Sequence, residues 1–118
     1  MKSDAVIALL SVSLLLLAGC FDQGKFTGFR LDNYSDQGHS IQFRVSDNST
    51  VLLNKTYALA AHDGIDIPLI LEYGTYSINV TSGNLSRQER EEISSSVAGI
   101  TIEISNFSIS FVQVIREL

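Results

Sequence analysis

The side chains in this sequence that could bind a metal or attack a substrate are few: one cysteine, Cys20, and two histidines, His39 and His62. A zinc site needs three or four ligands at close range. The carboxylates nearest to the histidines in the sequence are Asp36, Asp63 and Asp66. A blue-copper site needs two histidines and a cysteine, usually with an axial methionine, and the only methionine is Met1. Because lone histidines in turn segments are usually solvated, we predict no metal and no cofactor.

Catalysis by serine or by paired carboxylates has little support in the sequence. A nucleophilic serine needs a histidine base and an orienting acid, and no serine stands in a Gly-x-Ser-x-Gly setting. The carboxylates that a glycosidase could pair are Asp63, Asp66, Glu72, Glu89, Glu91 and Glu92. Arg87 and Arg90 are interspersed with the last three, which predicts a solvated charged edge that discourages aggregation. We therefore predict a protein without enzymatic activity.

All six asparagines stand in Asn-x-Ser/Thr triplets without a central proline. In an exported protein such a triplet is an acceptor for N-glycosylation. Strand alternation offers another explanation, because positions i and i+2 share a face and polar residues co-occur on any solvated face. Both explanations predict that these asparagines face solvent. The possible glycosylation sites are Asn33, Asn48, Asn54, Asn79, Asn84 and Asn106.

Residues 1 to 20 have the three parts of a secretory signal: a charged start, an apolar run and small residues at the end. Lys2 supplies the charge, and the apolar run from Ala5 to Gly19 contains only two serines. That run of 15 residues is shorter than the roughly 20 residues that span a bilayer. A cleaved signal is therefore preferred to the alternative of an uncleaved membrane-anchoring helix.

Leu17-Ala18-Gly19-Cys20 resembles the lipobox of prokaryotic lipoproteins, archaeal ones included. The resemblance implies cleavage between Gly19 and Cys20 and a diacylglycerol on the sulfur of Cys20. Two acyl chains give stable anchoring where one is marginal. Cys20 is also the only cysteine, so an intrachain disulfide is impossible, and lipidation accounts for a lone thiol in an exported protein. The alternative is an ordinary buried thiol.

The predicted organisation is a signal peptide at 1–19, a lipidated tether at 20–25 and a β-domain at 26–118. The net charge is −5 and the basic residues are scattered. Nucleic acid is therefore not a predicted partner, because phosphate backbones are bound by clustered Lys and Arg. Without a disulfide, an apolar core must stabilise the domain.

Alternation of apolar and polar residues predicts about eight short strands. The predicted strands are 26–33, 40–46, 51–61, 65–71, 75–81, 87–96, 100–105 and 109–115, with the last two forming a closing hairpin. Pro68 places 65–71 at an edge or a bulge. Segment 87–96 is ambiguous: Ser86 and Glu89 form a capping-box pattern typical of a helix start, whereas Ile93 and Val97 alone make a poor helical stripe. We prefer a polar edge strand.

The segment from Glu72 to Val80, Glu-Tyr-Gly-Thr-Tyr-Ser-Ile-Asn-Val, resembles the Gly-x-Tyr-x-Val-x-Val strand of immunoglobulin-like and transthyretin-like extracellular modules. The mature chain is also similar to small surface β-domains of archaeal and bacterial lipoproteins. These resemblances imply an immunoglobulin-like β-sandwich of about 7–8 antiparallel strands, preceded by a helical signal segment.

The expected function is that of a surface lipoprotein, a non-catalytic binding or structural module of the cell envelope. It would be anchored to the outer face of the cytoplasmic membrane or to the cell envelope by lipid on Cys20, with a cell-envelope protein as partner. The alternatives are a small-ligand-binding or enzymatic accessory lipoprotein and an uncleaved membrane-anchored protein with a single helix.

Overall fold

The computed structural model describes residues 25–116. The predicted signal segment, with Gly19 and Cys20, lies outside these residues. From 25 to 116 the chain forms ten strands and no helix. This range therefore contains no helix that could cross a membrane. The all-β class predicted from the alternation is therefore confirmed.

The strands are numbered here in chain order. They are β1 (Lys25–Phe26), β2 (Phe29–Asn33), β3 (His39–Ser46), β4 (Val51–Leu59), β5 (Gly64–Ile67), β6 (Leu71–Glu72), β7 (Gly74–Ser82), β8 (Leu85–Ile93), β9 (Val97–Ile104) and β10 (Ile109–Ile115).

Eight of the strands form two four-stranded sheets. Sheet 1 has the order β10-β9-β2-β5, and sheet 2 has the order β4-β3-β7-β8. Every neighbouring pair in these sheets is antiparallel except β9 and β2, which run parallel with Ile100 opposite Phe29. The expectation of antiparallel strands throughout is therefore wrong for this pair. A separate two-stranded ladder joins β1 to β6, with Lys25 opposite Glu72. The edge strands are therefore β10 and β5 in sheet 1, and β4 and β8 in sheet 2.

One hydrophobic core joins the two four-stranded sheets. Phe29 of sheet 1 and Phe43 of sheet 2 pack edge to face, with ring centroids 5.6 Å apart. Alternate residues of the central strands are fully buried around these rings, among them Leu31, Ile41, Val45, Ile78, Val80, Ile100, Ile102 and Ile104. Burial of each large aliphatic side chain contributes about 1.5–3 kcal/mol, which gives the disulfide-free domain its stability.

Because of the directions of the strands, the loops lie at two opposite ends of the domain. The near end is the one at which the described chain starts, and it holds 47–50, 68–73 and 94–96. The far end holds 34–38, 60–63, 83–84 and 105–108. In the two-residue turn between β7 and β8, Gly83 has φ +62°. A positive φ at the first central position is what a type II′ hairpin turn requires.

Most predicted strands agree with the structure, and two of them are divided. The strand expected at 26–33 breaks at Thr27 and Gly28, where the chain passes from the β1–β6 ladder to sheet 1. A Cβ atom on Gly28 would lie 2.5 Å from the carbonyl oxygen of Ala98, so only glycine allows β9 to approach there. The strand expected at 65–71 divides at Pro68 into β5 and β6, and β5 is an edge strand as the proline predicted.

The ambiguous segment 87–96 is extended: β8 covers most of it and forms an edge of sheet 2. Pairing with β7 along its whole length overrides the local capping-box pattern. The predicted closing hairpin is also confirmed, because β9 and β10 pair antiparallel from Ile104 and Ile109 onward.

Candidate functional site

Both histidines lie at the far end, and each has its own partner. The Nδ1 atom of His39 is 2.8 Å from Ser82 Oγ. The Nε2 atom of His62 is 3.5 Å from Asp36 Oδ1, and both of these side chains are exposed. His62 has φ +64°, which is uncommon for a residue with a Cβ atom. Among residues 25–116, no group of three His, Cys or carboxylate side chains is placed to hold a metal ion.

The contact between His39 and Ser82 was not anticipated from the sequence, because the two residues are 43 positions apart. Pairing of β3 with β7 brings them together, with Ile41 opposite Ser82. Ser82 is only 1% exposed, so its hydroxyl is closed to a substrate. This arrangement satisfies a buried hydroxyl group and does not present a nucleophile.

Arg30 organises the charged residues on the solvent face of sheet 1. Its Nε donates to Asp32 Oδ1 and its Nη1 donates to Asp66 Oδ1, each at 3.0 Å. The hydrogen bond to Asp66 is the main reason why the pKa of Arg30 is raised. The negative charge of Asp32 is the main reason why the pKa of Tyr34 is raised. Asp66 is thus engaged in an ion pair.

Edge strand β8 of sheet 2 lies next to edge strand β10 of sheet 1, and the side chain of Arg87 contacts both strands. Arg87 pairs with Glu89 at 2.6 Å and donates from Nη1 to the carbonyl oxygen of Ile109 at 2.9 Å. Its guanidinium also lies over the ring of Phe111, 5.8 Å from the centroid. Arg87 therefore links the two sheets, in addition to belonging to the charged edge predicted from the sequence.

Asn33 is buried, with 0% exposure. Its Nδ2 donates to the carbonyl oxygens of Gln37, Leu59 and Ala60 at 2.9, 3.2 and 3.1 Å. Its Oδ1 accepts from the backbone N–H and the hydroxyl of Ser35 at 3.0 and 2.7 Å. The prediction that all six asparagines face solvent is wrong for Asn33, because its amide binds backbone groups of two loops. A glycan on Nδ2 would disrupt those bonds.

The other five asparagines are at least partly exposed, as predicted. Asn54 and Asn79 project from the solvent face of sheet 2. Asn48 and Asn84 lie in the two hairpin turns of that sheet, and Asn106 lies in the turn before β10. Four of the five exposed triplets therefore belong to sheet 2 and its turns.

The solvent face of sheet 2 contains a shallow depression of about 310 Å³. It is lined by Gln42, Arg44, Asn79, Thr81, Ser86 and Gln88. These side chains meet because β3, β7 and β8 are neighbours, with Gln42 opposite Thr81 and Arg44 opposite Asn79. The lining is rich in amides and hydroxyls, with one guanidinium. The alternation identifies these residues as outward-facing, but only the strand order places them side by side.

A second depression, of about 350 Å³, lies at the near end. Its lining is more apolar and consists of Asp47, Leu52, Leu69, Ile70, Leu71, Glu72 and Tyr76. Tyr76 was predicted to belong to the core and is 8% exposed. Its hydroxyl donates to the carbonyl oxygen of Glu72 at 2.6 Å, and burial raises its pKa.

Asp47 closes the turn beside this depression. Its Oδ1 accepts from the backbone N–H groups of Ser49 and Thr50 at 2.9 and 2.8 Å. These bonds stabilise the ionised carboxylate, so the pKa of Asp47 is lowered.

The part of the chain that the structure describes is therefore an all-β domain with shallow depressions on its surface. No family model, curated protein or solved structure matches this chain.

Proposed function

We propose that this protein is an exported lipoprotein whose β-domain acts as a non-catalytic binding or structural module of the cell envelope. The observation that carries the proposal is the Leu17-Ala18-Gly19-Cys20 sequence at the end of a short apolar run. Cys20 precedes the first described strand, which starts at Lys25, by only five positions. A lipid on its sulfur would hold the domain close to a bilayer.

We further propose that the two four-stranded sheets form a β-sandwich of the immunoglobulin-like or transthyretin-like kind. The shared core of the two sheets supports a sandwich. An immunoglobulin constant-type domain divides its strands into four and three. The four-plus-four division of this domain differs from that constant-type arrangement.

A non-catalytic role is supported by the state of the residues that could react. Ser82, which bonds to His39, is buried. Asp66 and Glu72 each lie within ion-pair distance of a basic residue. The polar depression of sheet 2 is instead suited to binding, because its amides, hydroxyls and single guanidinium offer both donors and acceptors. A polar segment of an envelope protein or a glycan fits that chemistry.

The lipid anchor is tested by the intact mass of the protein extracted from membranes. We expect the loss of residues 1–19 and the addition of a diacylglycerol group. Cys20→Ser should remove the lipid mass and release the protein from the membrane, with no change in its denaturant unfolding midpoint. Retention of Met1 would indicate an uncleaved helix, and undiminished membrane retention of Cys20→Ser would refute the lipid anchor.

The partner is tested by cross-linking and recovery of the membrane-extracted protein. The Arg44→Ala variant should fail to recover an envelope protein that the wild type recovers, because Arg44 is the single charged residue in the polar depression of sheet 2. Arg90→Ala, on the same sheet but outside the depression, should keep that protein. Equal recovery by both variants would remove this face from the proposal.

A further inference from the structure

We propose that the near end of the domain rests on the lipid bilayer through an apolar patch formed by Leu52, Leu69 and Ile70. This inference rests on the proposed lipid anchor and deepens it, because it assigns a second membrane contact to the folded domain. The occupant of the patch would be the headgroup and acyl-chain boundary of the bilayer that holds the lipid of Cys20.

The three residues line one depression and present an apolar surface to solvent. Ile70 is 65% exposed and Leu52 is 38% exposed. Val51, next to Leu52 in the chain, is 44% exposed, and Tyr73, three positions after Ile70, is 37% exposed. Single exposed apolar residues are common on proteins, whereas a contiguous apolar patch marks an interaction surface.

The described part of the chain starts beside this patch, at Lys25. In the β1–β6 ladder, Phe26 is opposite Leu71 and Lys25 is opposite Glu72, so Lys25 lies close to the segment that follows Ile70. The five peptide units from Cys20 to Lys25 span at most about 17 Å when fully extended. A bilayer that holds a lipid on Cys20 must therefore lie within that distance of the near end.

The far end cannot make the same contact. Strands of eight or nine residues separate the two ends, which is about 26–30 Å at about 3.3 Å per residue. Phe107, at 87% exposure, is a large apolar side chain of the far end, but the loops there also carry polar residues such as Asp36, His62 and Asn106. The reach of the tether and the composition of the loops thus select the near end.

The charges near the patch are compatible with a zwitterionic lipid surface. Lys25 and Glu72 lie 3.6 Å apart and offset each other. The ionised carboxylate of Asp47 lines the same depression, where it accepts from the N–H groups of Ser49 and Thr50. Tyr73 and Lys25 are residue types that favour the interface between headgroups and water. The patch therefore requires apolar contact and no anionic lipid.

The chain contains no tryptophan, so one introduced indole reports on one position. We compare Ile70→Trp at the near end with Phe107→Trp at the far end, each as the full lipidated protein in phosphatidylcholine vesicles with brominated acyl chains. Both side chains are mainly exposed, so both variants should fold. Tyr73→Trp provides a second reporter at the near end if Ile70→Trp does not keep the wild-type unfolding midpoint.

We expect the near-end indole to shift its emission to shorter wavelength and to lose most of its intensity to the bromines, while Phe107→Trp emits as in water. Vesicle flotation is measured on the same samples. Protein that floats with an unquenched near-end indole, or with both indoles equally quenched, overturns the patch and leaves the lipid anchor in place. Protein that does not float overturns the anchor and the patch together.

Discussion

At the scale of single residues, Asn33 is a buried polar side chain that makes five hydrogen bonds within the fold. Its amide holds the 34–38 loop to the end of β4, and its backbone N–H donates to Asp63 O at 2.8 Å. A buried polar group of this kind stabilises the fold only while its partners are present.

Asn33→Ala should destabilise the domain by about 2–4 kcal/mol, because it leaves buried carbonyl groups without a donor. Asn48→Ala is the matched control: it also removes an Asn-x-Ser/Thr triplet, but from an exposed turn, and should change stability by less than about 0.5 kcal/mol. Denaturant unfolding of both variants checks this. Equal midpoints would show that the Asn33 amide does not support the loops.

Asp47 should make stability depend on pH in the acid range. Its pKa is lowered below the ordinary value of 3.8, so the folded state binds the proton less readily than the unfolded state. The stabilisation is therefore present above pH 3.8 and is lost as the pH falls through the folded pKa.

In unfolding experiments, the difference in midpoint between wild type and Asp47→Ala should be constant near neutral pH and should shrink below pH 3.8. Asp47→Asn keeps an acceptor for the N–H groups of Ser49 and Thr50 without a titrating proton, so its difference from Asp47→Ala should not vary. A pH-independent gap between wild type and Asp47→Ala would contradict the assignment.

At the scale of strands, β7 shows how the alternation divides residues between core and solvent. Tyr76, Ile78 and Val80 are buried, and their neighbours are partly or fully exposed. This division follows from the pleat, in which successive side chains point to opposite faces.

Ile78→Asp should abolish the cooperative unfolding transition, because it places an unpaired charge in the core, where Ile78 is 0% exposed. Asn79→Asp, one residue away and opposite Arg44, should shift stability by less than about 0.5 kcal/mol. Circular dichroism during denaturation distinguishes the two. A folded Ile78→Asp protein would mean that the face assignment is wrong.

The sequence predicts where strands lie in the chain better than it predicts which strands pair with each other in a sheet. Alternation is a local property, so it located β3 and β7, and Pro68 indicated an edge strand. The pairing of β2 with β9 depends on residues far apart, which no local pattern encodes. For the same reason the contact of His39 with Ser82 and the polar lining around Arg44 were not foreseen. Asn33 was misassigned because its triplet is identical in type to five exposed ones.

At the scale of the whole molecule, the four edge strands differ in their protection against pairing with another chain. Strand β8 carries several charges, β4 has Lys55, and β5 is only four residues long. Charged side chains and short edge strands are known protective features. Strand β10, Ile-Ser-Phe-Val-Gln-Val-Ile, has neither charge nor proline, and Val112 and Val114 are 41% and 50% exposed.

Val112→Lys should therefore raise the yield of soluble protein on refolding without lowering the unfolding midpoint, because the charge opposes edge-to-edge association. Thr101→Lys is the control: Thr101 is directly opposite Val112 on β9, so it adds the same charge to the same face away from the edge. Light scattering during refolding measures the effect. An equal improvement in both variants would attribute it to net charge alone.

The parallel pairing of β2 and β9 joins two segments that are far apart in the chain. Phe29 is opposite Ile100, 71 positions later in the chain, and contacts of such separation form slowly because a long loop must close first. Strand β2 therefore has only β5 as a neighbour in sheet 1 until β9 is available to pair with it. Under the export proposed above, this late pairing would favour transport of the chain before it folds. A chain that stops before residue 97 would leave the edge of β2 that faces β9 unpaired from Phe29 to Asn33.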